Sequence, residues 1–136
     1  MKWTIEKTVE LKASPARVWK ALSDPAELTR WFPDRAELAL EEGARGTLTW
    51  ENHGTATMEV LEVEPLRRFV WRWSGNDQRS IDEYSTRVEW TLTARADGGT
   101  TLHVRESGFD SEKHFQQNTG GWDAELAELT ELLGSD

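Results

Sequence analysis

The chain has 136 residues, no cysteine and a formal net charge of −9. That length favours one domain over residues 1–136 and lets a core form without a disulfide or metal staple. The missing cysteine excludes disulfides, thiolate nucleophiles and cysteine-based zinc sites, and fits a cytoplasmic setting. The acidity argues against nucleic acid as a partner. No apolar stretch approaches the ~20 residues of a membrane span, and Met1–Glu10 alternates and carries charge, unlike a signal peptide.

Tryptophan is over-used: eight Trp stand against one Tyr and four Phe. Each buried indole is worth at most roughly 4–6 kcal/mol of apolar burial. A few would anchor a core of this size, so eight raise the question of what the others face.

Trp3, Ile5, Val9 and Leu11 share one parity and predict a half-buried first strand, with Lys7 snorkelling from the apolar phase. Ser14-Pro15 predicts a helix start, with Val18, Trp19 and Leu22 as its stripe. Asp24-Pro25 repeats the signal for a second short helix carrying Leu28, Trp31 and Phe32, which Pro33 helps to stop. Strands follow. Ala36, Leu38 and Leu40 alternate, as do Leu48 and Trp50, and Asn52-His53-Gly54 reads as a hairpin turn. Ala56, Met58 and Val60 then slip phase to Leu61 and Val63, which predicts a bulge near Val60–Leu61. Phe69, Trp71 and Trp73 form the next face. Ser74 to Glu83 reads as a polar loop. Val88, Trp90 and Leu92, then Leu102 and Val104, complete the strands around a tight turn at Asp97-Gly98-Gly99. The period changes at the end: Phe115, Trp122, Leu126, Leu129 and Leu133 share a helical face. Gly120-Gly121 leaves three readings there: a kink, close packing, or a break with the helix starting at Trp122.

The fold class that emerges is α+β, in the order β-α-α-β-β-β-β-β-β-α. Successive strands with short turns imply an antiparallel meander of about seven strands, one face of which needs the last helix as cover.

Ala13-Ser14-Pro15-Ala16-Arg17-Val18-Trp19, Leu22-Ser23-Asp24-Pro25 and Leu28 to Phe32 come in order. Glu62-Val63-Glu64-Pro65, Trp71-Arg72-Trp73, Gly99-Thr100-Thr101-Leu102, Ser107-Gly108-Phe109 and Gly121-Trp122 follow. With this set of short motifs the chain resembles the START-like (SRPBCC, Bet v 1-like) superfamily. The branch is the one similar to the C-terminal domain of the activator of Hsp90 ATPase. The resemblance implies a helix-grip fold: a curved antiparallel sheet, two short helices between strands 1 and 2, and a long C-terminal helix that the sheet wraps. It also implies a cavity between sheet and helix. Relatives of this fold bind lipids, hormones or polyketides, cyclise substrates, or assist Hsp90, so the fold alone does not choose among these functions.

Parity points Trp50, Trp71, Trp73, Trp90 and Trp122 toward one interior. They read either as a packed core or as the wall of a cavity for a small apolar or aromatic molecule. The expected ligand-binding set adds Trp31, Phe32, Leu48, Met58, Val60, Val88, Glu106, His114, Phe115 and Leu126. Entry is expected between the Ser74–Glu83 loop, the Trp31-Phe32 region and the start of the last helix. Glu106 shares the inward parity of Leu102 and Val104, but its place near the strand end predicts a solvated carboxylate more than a buried acid. Glu125, Glu128 and Glu131 read as a solvated helix face. His53, His103 and His114 lack metal-site spacing, and no nucleophile elbow, P-loop or dinucleotide fingerprint occurs. No catalytic residue, metal or cofactor is therefore expected. Two alternatives to ligand binding stay open: an Hsp90-directed co-chaperone domain, and a cyclase- or hydrolase-like enzyme with Glu106 as its acid. No interface signal decides the oligomeric state, which leaves a homodimer open.

Overall fold

The computed structural model describes residues 3–52, 54–74 and 80–134. Its elements are β1 (Ile5–Leu11), α1 (Pro15–Ser23), α2 (Pro25–Leu28), β2 (Arg35–Glu37), β3 (Arg45–Trp50), β4 (Gly54–Glu64), β5 (Arg68–Ser74), β6 (Thr86–Ala94), β7 (Thr100–Ser107) and α3 (Glu112–Gly134). The strands form one antiparallel sheet in the order β1-β7-β6-β5-β4-β3-β2. The curved sheet, the two short helices between β1 and β2 and the long C-terminal helix make a helix-grip fold.

Local chemistry explains the boundaries. The Ser14 hydroxyl accepts from the Arg17 N–H, and the Asp24 carboxylate accepts from the Ala26 N–H at 2.9 Å, so each short helix starts on a side-chain cap followed by proline. The second helix is shorter than the apolar pattern suggests. It ends at Leu28, and Trp31 and Phe32 lie in the turn beyond it, where the chain must cross to the far edge of the sheet. The β3–β4 hairpin closes with Trp50 opposite Gly54, whose φ of 97° favours glycine. His53 of the expected turn lies outside the described residues. The register slips between Val60 and Glu62, so the phase change in the sequence is a β-bulge. The second expected strand is brief: β2 stops at Glu37, and Leu40 is exposed. Gly46 admits this neighbour, because a Cβ there would stand 2.1 Å from the Glu37 carbonyl oxygen.

The two sheet faces differ in kind. The inner face carries Leu48, Met58, Val60, Phe69, Trp71, Val88, Trp90, Leu102 and Val104, all fully buried. Leu126, Leu129 and Leu133 of α3 cover it, together with Val18 and Leu22 of α1. The outer face is a ladder of ion pairs. Arg72 meets Glu59 at 2.7 Å and Asp82 at 3.1 Å, Arg45 meets Asp82 at 2.6 Å, and Arg68 meets Glu89 at 2.8 Å. These guanidinium groups hold the Glu59 and Asp82 carboxyls below the usual range. Arg72 also donates to the Ile81 carbonyl at 2.9 Å, which ties the turn before β6 to the sheet and buries Ile81. Residues 75–79 of the expected polar loop lie outside the described residues.

Lys7 does snorkel: it reaches from β1 to Asp123 of α3 at 2.9 Å. The helix α3 is continuous through Gly120-Gly121, and nothing lies within 4 Å of a Cβ added at either position. Neither a break nor close packing therefore accounts for the pair. Gly120→Ala is expected to raise stability by about 1 kcal/mol through helix propensity, read as an increase in the denaturant midpoint. A decrease would show that the glycine answers a structural need that the surrounding space does not reveal.

Candidate functional site

Position along each strand divides the inner face into two regions. On β5 the inward residues run Phe69, Trp71, Trp73; the first two are fully buried and Trp73 is half-buried. On β3 the step from Leu48 to Trp50 is the same. At this end the sheet, α3 and the turn after α2 separate and leave a cavity of about 670 Å³. Its aromatic wall is Phe32, Trp50, Trp73 and Trp122, with Phe109 beside them. Ala56 and Thr86 continue the sheet side, and Tyr84 and Ser74 stand where β5 and β6 approach each other. The helix contributes His114, Asn118, Gly121, Trp122 and Glu125, a stripe at helical spacing. Exposed Gly54, Thr55, Gly121 and Ala124 mark the mouth.

The aromatic wall is a stack with a definite order. Phe32 lies almost parallel to Trp122, with centroids 5.5 Å apart and planes 16° apart. It also stacks on Trp73 at 5.9 Å and meets Trp50 edge-on at 5.2 Å. Trp73 and Trp122 stack at 5.9 Å. Behind this wall Trp90 packs edge-on against Trp122 at 5.4 Å and against Trp31 at 6.1 Å.

Phe32, Trp50, Trp73, His114 and Trp122 of the expected ligand-binding set thus line the cavity. Trp31, Leu48, Met58, Val60, Trp71, Val88, Trp90 and Leu126 do not; they interlock in the core. Periodicity gave the inward direction of the strand residues and Leu126 correctly, but they sit too far along their strands or helix to reach the hollow; Trp31 lies in the turn beyond α2. The Trp31 indole donates to the Ala21 carbonyl at 2.9 Å and anchors the turn after α2. Trp71 and Trp90 have buried indole N–H groups without a hydrogen-bond partner among the described residues, so they contribute apolar volume. Phe115 packs edge-on against Phe109 rather than lining the space. Tyr84, Thr86, Asn118 and Glu125 were absent from the expected set. The 114–118–121–125 spacing was the available signal, hidden beside the stronger leucine stripe.

Glu106 corrects the sequence reading most. Its parity is inward as expected, but it is 0 % exposed rather than solvated. Four donors converge on its two oxygens. The Trp73 and Trp122 indoles each donate at 2.8 Å, Thr86 donates its hydroxyl, and the Asn118 amide donates to both oxygens at 3.2 Å. All four donors line the cavity, while Glu106 itself stands behind them. Each acceptor position of the carboxyl is taken. Glu106 is therefore a positioning residue: it aims two indoles, a hydroxyl and an amide by holding their polar ends.

Glu125 is the second correction. It is half-buried against the cavity rather than on the solvated face, and its Oε2 is buried without a hydrogen-bond partner among the described residues. Burial, then the nearby carboxylates of Glu128 and Asp34, push its carboxyl up to about 7. His114 places Nδ1 3.4 Å from Asp110, and His103 sits outside the cavity 3.3 Å from Glu6. No group of three metal-ligating side chains gathers among the described residues.

Two outcomes follow from this geometry. Glu106→Gln turns one acceptor into a donor facing donors and should cost about 1–3 kcal/mol. The denaturant midpoint should fall and the tryptophan emission should shift to the red; an unchanged midpoint would contradict the hub. Glu125 has the opposite sign. A carboxyl raised in the folded state from 4.5 to about 7 lowers stability progressively as pH rises between those values. Glu125→Gln is therefore expected to raise the melting temperature at pH 8 and to change it little at pH 4. Equal effects at both pH values would show that the carboxyl is not strained by its setting.

No curated protein sequence matches the chain at a significant level. Solved structures do. The chain is 27% identical to DynU16, a protein of the dynemicin biosynthetic locus, with a TM-score of 0.85. That match covers 98% of this chain and 48% of the other, so the chain spans about half the length of DynU16. Protein MLL2253 from Mesorhizobium loti is 26% identical over 96% of each chain, also with a TM-score of 0.85. PFC0360w, an Hsp90 activator from Plasmodium falciparum, shares the fold at 21% identity, with a TM-score of 0.82 over 97% of this chain and 96% of that one. The model of one family matches residues 12–134, nearly the whole sequence, and the chain belongs to that family, the activator of Hsp90 ATPase homolog 1-like proteins.

Proposed function

We propose that this chain binds a small hydrophobic or aromatic molecule in the cavity between the sheet and α3, acting as a single binding domain of the cytoplasm. One observation carries the reading. Trp50 and Trp73 keep part of their large apolar surface uncovered beside a cavity of about 670 Å³. Leaving indole surface in contact with water forfeits about 25 cal/mol per Å² that a ligand would recover. The volume lies within the range of ~300–1,000 Å³ typical of small-molecule sites. The wall combines stacking faces with a few polar tips from Thr86, Asn118 and Tyr84, a mixture that orients a ring while burying it. The origin of DynU16 in a biosynthetic locus agrees with a small-molecule role.

An enzymatic reading with Glu106 as the acid is less well supported. A general acid must reach the substrate proton, and Glu106 stands behind its own donors, closed to solvent. The Hsp90-directed reading draws on the family name and on a neighbour whose likeness extends to the fold. An Hsp90 ATPase rate unchanged at saturating protein would discard it.

Titration with neutral two-ring aromatics is expected to quench or blue-shift the tryptophan emission in a saturable manner. Trp50→Ala, which leaves the Glu106 donors intact, should weaken that binding about tenfold. Absence of saturable binding up to the solubility limit of several such compounds would overturn the proposal.

A further inference from the structure

Resting on that reading of the cavity, we infer that the preferred ligand carries a positive charge beside its ring: an aromatic amine, held with its ammonium group against Glu125 and its apolar part on the indole wall. The charge and the shape of the lining support this. Glu125 is half-buried in the cavity lining, and its Oε2 has no hydrogen-bond partner among the described residues. A carboxylate partly withdrawn from water without a counter-charge is costly, so a cation brought to its accessible side in the cavity is favoured. The lining contains no Lys or Arg among the described residues, so none of these supplies a counter-charge.

The surroundings have the same sign. Asp34, in the turn before β2, and Glu128, one turn further along α3, are the charged groups that act on Glu125, and both are acidic. His114 and Tyr84 are the other titratable groups of the lining; His114 has Asp110 at 3.4 Å. Burial first, and then the Glu128 and Asp34 carboxylates, raise the Glu125 carboxyl. The aromatic wall completes the match. Indole faces attract cations through their quadrupole, tryptophan most strongly, and Phe32, Trp50, Trp73 and Trp122 are gathered within ring-contact distance of one another at this site. An anionic ring would instead meet the Glu125 carboxylate, with no Lys or Arg among the described residues of the lining to pair with it. The inference is thus a statement about ligand charge, separable from the statement that a ligand binds.

Calorimetric titration at pH 8 with three naphthalenes of one size tests it: 2-naphthylmethylammonium, 2-naphthylmethanol and 2-naphthoate. The ammonium compound should bind about tenfold or more tighter than the alcohol, and the carboxylate most weakly. In Glu125→Gln the ammonium and alcohol affinities should converge. Glu128→Gln removes the same net charge outside the lining and should keep the preference. Equal affinities in the parent, or a preference that survives Glu125→Gln, would overturn the charge inference while leaving ligand binding standing. Failure of all three compounds to bind would remove both.

Discussion

A buried carboxyl facing four donors is the constraint on which the open end of this molecule depends. Apolar packing holds most α+β interiors together, and it does so here where Leu126, Leu129 and Leu133 meet the inner face. Toward the start of α3 the cavity takes that packing away. Glu106 supplies a different connection, since its oxygens bind Trp73 of β5, Thr86 of β6, and Asn118 and Trp122 of α3. The low local dielectric strengthens each of these bonds. A group that would be costly if unpaired thereby joins sheet to helix across a gap. The same bonds fix indole orientation, which stacking alone leaves free to slide.

The two glutamates of this region show how environment divides one chemistry into two roles. Glu106 is fully enclosed and surrounded by donors. Glu125 is partly enclosed, has no donor for one oxygen among the described residues and has two acidic neighbours. The first belongs to the scaffold that shapes the wall, and the second is a feature of the wall that a bound molecule would meet. One is enclosed behind the wall, and the other belongs to the lining of the hollow. Family membership says nothing of this difference, because a shared fold hosts many ligands and the site chooses among them.

The exterior has its own logic. A row of Arg–carboxylate pairs runs across β3, β4, β5 and the turn before β6. Pairs this exposed contribute little stability each. Their consequence is positional: Arg72 and Arg45 hold Asp82, Arg72 holds the Ile81 carbonyl, and Tyr84 is carried to the cavity as a result. A segment that reads as a polar loop is thus partly anchored from the face opposite the site.

Periodicity by itself determined the order of elements, the capped short helices, the bulge at Val60–Glu62 and the inward direction of Trp50, Trp71, Trp73, Trp90 and Trp122. These are local properties: a strand alternates because its side chains do, and a Ser or Asp before proline caps whatever helix follows. Only the tertiary structure decided which inward residues pack and which face space. Trp71 and Trp73 share a strand, a parity and a residue type, yet one is sealed in the core and the other is half-open, because Trp73 borders the cavity even where Phe32 and Trp122 stack on it. Likewise Glu106 reads as a strand-end carboxylate until β5, β6 and α3 bring their donors to it from 33, 20, 12 and 16 residues away. Direction is encoded in the neighbouring residues, but enclosure is set by distant ones, and no spacing along the chain records where they meet.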